Sequence, residues 1–193
     1  MNYQVKEESE RNIRNESGGL KRYLFLDIDG VLNTSSYINN LLEKREQDHD
    51  EFGVLFDPNT IDNLSFIINY VPDVKIIISS TWRMNGLKWM NQLWKKRKMP
   101  GYIYGFTPVL EYVRFQDVVN REYSQSVIPT GTRGLEISEW LRLNTSGNQL
   151  EYKFAILDDS DDFPIEYKNH LIMTDYNSGI TKEDVVKALE ILL

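Results

Sequence analysis

Asp27 and Asp29 flank Ile28 at the end of the apolar run Leu24-Phe25-Leu26, and Gly30 follows at once. In an extended segment the side chains alternate, so the two carboxylates leave on one side and can address a single reacting atom. Carboxylates so spaced suit phosphoryl transfer. One can attack phosphorus and form a covalent aspartyl-phosphate, splitting one hard displacement into two easier ones. The other can give a proton to the leaving oxygen and later take one from water. Asp27 is the expected nucleophile and Asp29 the expected acid and base. Gly30 permits a sharp turn and close approach of the backbone to a substrate. Two anions repel a phosphate dianion, so such a site requires a cation, and oxygen ligands beside phosphate suit Mg2+. The same residues also fit a polar turn or part of a calcium loop. A helix-loop-helix calcium loop needs further oxygens at alternate positions and a terminal Glu, whereas Val31 and Leu32 follow this glycine.

Two later segments repeat the pattern of an apolar run ending in polar groups. Val74-Lys75-Ile76-Ile77-Ile78 reads as a buried parallel strand and ends in Ser79-Ser80-Thr81-Trp82-Arg83. A hydroxyl there, with neighbouring backbone N–H groups, can hold a phosphoryl oxygen, and Arg83 can offer a planar fork to another. Ser79 is the catalytic candidate, with Ser80 and Arg83 as substrate contacts. The same cluster also fits a helix N-cap, and the two roles can coexist. Phe154-Ala155-Ile156-Leu157 then runs into Asp158-Asp159-Ser160-Asp161-Asp162. In an open α/β sheet, ligands bind beyond the carboxyl ends of the strands. Asp158 is the preferred direct metal ligand, Asp159 the next, and Asp162 an outer or alternative one. An acidic surface loop is the competing reading.

In this order the motifs resemble the haloacid dehalogenase (HAD) superfamily of aspartate-nucleophile phosphatases. Leu-Asp-Ile-Asp-Gly-Val-Leu-Asn, Ser-Ser-Thr-Trp-Arg, Arg-Gly-Leu-Glu-Ile-Ser-Glu-Trp-Leu and Ile-Leu-Asp-Asp together resemble its Swiss Army Knife RNA-repair branch, from about Lys21 to the C-terminus. The resemblance implies an α/β fold, a Rossmann-like three-layer α/β/α sandwich with a mainly parallel sheet and a small cap or none. It also implies Mg2+ held by Asp27, Asp29 (through its backbone carbonyl), Asp158 and Asp159. The third motif of the superfamily normally supplies a lysine, and no clear equivalent is present. Arg133 stands where that cation is expected, as a guanidinium fork in place of an ammonium point charge. An ordinary surface arginine ahead of a helix is the alternative.

Composition bounds the rest. A chain of 193 residues is long enough for one α/β domain with a sizeable core. The polar stretch 1–19 reads as a disordered or loosely attached tail, leaving 20–193 as the catalytic domain. Insertions fall near 34–57, as a short lid or helix, and near 107–130, where Tyr112, Arg114 and Arg121 are candidate substrate contacts or parts of a structural loop. Helices are expected from about Pro58, with Ile61, Leu64, Ile67 and Ile68 inward, and from Lys182, where Thr181 and Asp184 supply a cap signal. His49 and His170 show no pairing that suggests chemistry. The net charge of −7 disfavours a general nucleic-acid binder. Against that average, Arg83, Lys88, Lys95, Lys96, Arg97 and Lys98 form a basic stretch interleaved with Trp82, Trp89 and Trp94. It can serve single-stranded nucleic acid, but core packing and helix-dipole complementarity explain it more simply. No signal segment, membrane span or cysteine appears, so a cytoplasmic protein is the default expectation.

The expected function is a Mg2+-dependent phosphomonoesterase. By resemblance its first substrate class is an RNA or DNA phosphate end, with nucleotides or small phosphomonoesters as the alternative and no obligate protein partner. A noncatalytic binding or regulatory module is the competing class. Phosphotransfer or phosphonate cleavage on the same scaffold is a third possibility, the latter disfavoured because no cap large enough to carry its lysine is present.

Overall fold

A computed structural model describes residues 19–110, 132–147 and 150–193. Five parallel strands form its central sheet in the order β5-β4-β1-β6-β7. They are β1 (Lys21–Leu26), β4 (Val74–Ile78), β5 (Ile103–Phe106), β6 (Tyr152–Asp158) and β7 (Leu171–Met173). The continuous apolar runs follow from burial on both faces. On β1, Leu24 and Leu26 join a core with Leu64 and Ile67 of α2 (Pro58–Tyr70), Met90 and Leu93 of α3 (Leu87–Lys96), and Val185, Ala188 and Leu192 of α5 (Lys182–Leu192). Tyr23 and Phe25 belong to a second core with Ile137, Trp140 and Leu141 of α4 (Thr132–Asn144). The result is the expected three-layer α/β/α sandwich.

The helices start where their caps place them. Asp57 accepts from the Asn59 N–H ahead of Pro58, and Thr181 with Asp184 forms a reciprocal capping box on α5. Ile61 and Ile68 pack partly buried beside Leu64 and Ile67. Among the described residues no helix is long and apolar enough to cross a membrane.

Register, more than any single contact, builds the site. Leu26 pairs with Ile78 on one side and Leu157 on the other. The ladder continues past β1 and β4, with Asp27 N–H donating to Leu157 O (3.0 Å) and Ser79 N–H to Leu26 O (2.9 Å). Asp27, Ser79 and Asp158 therefore emerge side by side.

The 34–57 insertion is a helix, α1 (Ser35–Lys44), and a small antiparallel hairpin, β2 (His49–Asp50) with β3 (Gly53–Val54). Arg97, just past α3, clamps it. Its guanidinium donates to Asp50 Oδ2 (3.0 Å) and Oδ1 (2.7 Å) and to the carbonyls of Val54 (2.9 Å) and Gly53 (3.1 Å), and lies over the Phe56 ring. Phe52 packs on Trp89, Lys96 pairs with Glu51, and the buried Trp94 donates to Pro100 O. Much of the basic, tryptophan-rich stretch is thus engaged in holding the insertion and the core, while Lys88, Lys95 and Lys98 stay exposed. Of the second insertion only 107–110 is described; Tyr112, Arg114 and Arg121 lie outside the described residues, as does the 1–18 part of the tail.

Replacing Arg97 by Ala removes the two-pronged partner of the partly buried Asp50 carboxylate, which keeps the Phe52 N–H, and is expected to cost about 1–2 kcal/mol in urea unfolding. The Arg97 hydrogen bond, opposed by burial, holds Asp50 below its usual 3.8. That stabilisation is present above the ordinary carboxylate range and is lost as pH falls through the lowered value, so the gap between wild type and Arg97→Ala should narrow in acid. A gap independent of pH contradicts the assignment.

Candidate active site

Three carboxylates meet beyond the ends of β1 and β6. Asp27, Asp158 and Asp159 each offer an oxygen, all within 4.8 Å of one another. Asp27 and Asp158 are almost sealed from solvent, and Asp159 is partly exposed. From the first turn of α4, Arg133 places Nη1 2.6 Å from Asp27 Oδ2 and 2.5 Å from Asp158 Oδ2. The other Asp158 oxygen accepts from the Ser160 N–H (3.0 Å). Neither Asp27 oxygen completes a hydrogen bond among the described residues, although Oδ2 faces the Arg133 cation. A buried carboxylate left in that state is poised for a ligand.

The crowding is visible in the protonation equilibria. Burial, and then the charge of Asp27, push Asp158 up to about 7 against the pull of Arg133 and the Ser160 N–H. Burial and Asp27 also raise Asp159. For Arg133, burial disfavours the charge, but Asp27 and then Asp158 outweigh it and hold the guanidinium protonated above its ordinary value. An all-oxygen, anion-rich, nearly dry group with an unsatisfied member fits a small hard divalent cation.

Asp29 lies outside this cluster. Strand β1 stops at Leu26, so the strict alternation expected from the sequence does not carry through. The Asp29 carboxylate is instead bound by Asn33 Nδ2 to Oδ1 (2.7 Å) and by Trp82 Nε1 to Oδ2 (3.0 Å). Its charge still reaches Asp159. As a metal ligand it therefore has its backbone carbonyl to offer, as the family resemblance implies.

The second strand end separates its two serines. Ser79 is buried and its hydroxyl has no partner among the described residues. Ser80 caps the 3-10 turn Thr81–Asn85, accepting from the Trp82 N–H, and its carbonyl takes Arg83 Nη1 (2.7 Å). Arg83 is not an open fork: Nη2 pairs with Glu136 Oε2 at 2.7 Å with both side chains buried, and Nε has no partner among the described residues. Glu136 sits one turn beyond Arg133 on α4, so this pair ties the helix that carries Arg133 to the end of β4. Gly30 adopts φ +67°, and a Cβ there would stand 2.4 Å from Asp159 Oδ2, so the glycine makes room for that carboxylate. Asp162 is exposed and outside the cluster.

Sequence reasoning missed Asn33, Trp82 and Glu136 as parts of the site. All three occur within the quoted motifs, and Glu136 carried a further signal, a charged residue beside the apolar face of Ile137, Trp140 and Leu141.

A parallel sheet that delivers carboxylates from its strand ends defines a Rossmann-like hydrolase domain of the HAD type. The chain belongs to the family described as the HAD domain in Swiss Army Knife RNA repair proteins, whose model matches residues 23–185. No curated protein and no solved structure matches it.

Gly30→Ala combines a left-handed backbone with a clash against Asp159 and is expected to lower unfolding stability by about 1–3 kcal/mol. A wild-type urea midpoint would show that the turn relaxes freely and that Asp159 does not depend on it.

Proposed function

We propose that this protein is a phosphomonoesterase acting through an aspartyl-phosphate on Asp27. The observation that carries the reading is the buried, hydrogen-bond-deficient Asp27 carboxylate facing Arg133 beside an all-oxygen cation site. An Asp27 oxygen attacks phosphorus as the bond to the leaving oxygen breaks, and Asp29 gives that oxygen its proton. Water then attacks the same phosphorus and yields a proton to Asp29, and Asp27 departs as a free carboxylate. The Ser79 hydroxyl holds a phosphoryl oxygen. Arg133 offsets the charge shared by Asp27 and the transferring group. Mg2+, held by Asp27, Asp158 and Asp159 with the Asp29 carbonyl, would neutralise phosphate charge when bound.

RNA or DNA phosphate ends are the first substrate class, because the family is named for RNA repair; nucleotides and small phosphomonoesters are the alternative. Magnesium-dependent phosphate release is the test, comparing an aryl phosphate, nucleotides and 3′- or 5′-phosphorylated oligomers. Wild type should turn over, with kcat/KM across the panel selecting the class. Asp27→Asn, nearly isosteric, should be inactive, and Arg133→Ala should be slower by at least ~10²-fold. Persistent turnover by Asp27→Asn rules out the nucleophile assignment.

A cation at the carboxylate cluster should also be detectable without activity. Mg2+ should raise the melting temperature of wild type, since ligation stabilises the native state by mass action. Asp158→Asn should lose most of that rise, and an equal rise in the variant would place the ion elsewhere.

A further inference from the structure

We propose that Trp82 is a positioning residue for Asp29: with Asn33 it fixes the acid/base carboxylate in one orientation, and the β2–β3 hairpin in turn fixes Trp82. The inference rests on the phosphohydrolase reading and adds to it a link between the insertion and the proton-transfer step.

An aspartate's terminal torsion is broad, so a carboxyl group without partners samples many orientations. Asp29 has a donor on each oxygen, from two different elements. An indole N–H can only donate, which makes the contact to Oδ2 unambiguous. The Asn33 contact is equally determined. Its Oδ1 accepts from the Gly30 N–H (3.1 Å), so the amide must turn its NH2 toward Asp29. The opposite orientation would face oxygen to carboxylate and NH2 to N–H. Asn33 is itself buried.

Trp82 is held from behind. Phe56 lies 5.7 Å and Trp89 6.1 Å from it, ring centre to ring centre, and Gly53 comes close to the edge of the indole. Arg97 stacks over Phe56, approaches Trp82, and is locked by Asp50 and by the carbonyls of Gly53 and Val54. A contiguous packed path therefore runs from the hairpin through Trp82 to Asp29. The insertion, though too small for an independent cap, buttresses the proton donor.

Trp82→Phe removes the donor and keeps a ring. Positioned proton transfer matters most when the leaving group is poor. On an alkyl phosphate, kcat/KM, which reports the steps up to loss of the leaving group, should fall about tenfold, a fraction of what general acid catalysis supplies. On p-nitrophenyl phosphate, whose leaving group needs no proton, the loss in kcat/KM should be much smaller. Added to Asp29→Asn, the change should cause no further loss. Asn33→Ala, which removes the other donor, tests the same pattern independently should Trp82→Phe fold poorly. Equal losses on both esters, a further loss in the Asp29→Asn background, or unchanged kinetics would overturn the proposal while leaving the phosphohydrolase reading in place. Absence of turnover by wild type on either ester would overturn both.

Discussion

Placing Asp27 and Asp158 side by side in a nearly dry pocket is the constraint to which the surrounding structure answers. Neither water nor a second carboxylate can offset that charge, and Asp158 is pushed up to about 7 as a result. Arg133 is the compensating group, sharing one nitrogen between both acids. Its reach depends on where α4 lies, and the buried Arg83–Glu136 pair ties that helix to the end of β4. A group expected to bind substrate thus sits one step removed, tied to the helix that carries Arg133. Among the described residues the neighbouring Ser79 hydroxyl and the Asp27 oxygens complete no hydrogen bond, although Asp27 Oδ2 faces Arg133.

The site separates its carboxylates by environment. Asp27, Asp158 and Asp159 repel one another and draw a cation. Asp29, only two residues from Asp27, is given neutral donors from Asn33 and Trp82. Neighbouring acids in one short segment can take different chemical roles when one group is surrounded by charges and the other by dipoles.

Much of this was legible in the residues themselves. Leu24-Phe25-Leu26, Val74 to Ile78 and Phe154 to Leu157 read as buried parallel strands because burial on both faces demands unbroken apolar runs. Each ends in polar groups that proved to be neighbours. Pro58 and Thr181 with Asp184 marked helix starts because such signals are local chemistry. The β2–β3 hairpin was not legible, since two residues per strand carry no periodicity and its stability comes from Arg97, 47 positions from Asp50. Asp29 misled for a related reason: alternation holds only while a strand lasts, and β1 ends at Leu26. Arg83 and Glu136 are 53 positions apart, and nothing in either local sequence names the other.

The parallel register described above has a bearing on how this domain can vary. Because Leu26 is aligned with both Ile78 and Leu157, the three strand ends share one origin. Inserting or deleting a single residue within β1, β4 or β6 would exchange the side chains packed in the two cores and withdraw a site residue together. The crossovers carry no such phase. Length change is therefore tolerated in the connections and not in the strands, so the connections can diversify while the strand-end carboxylates stay tied to the sheet.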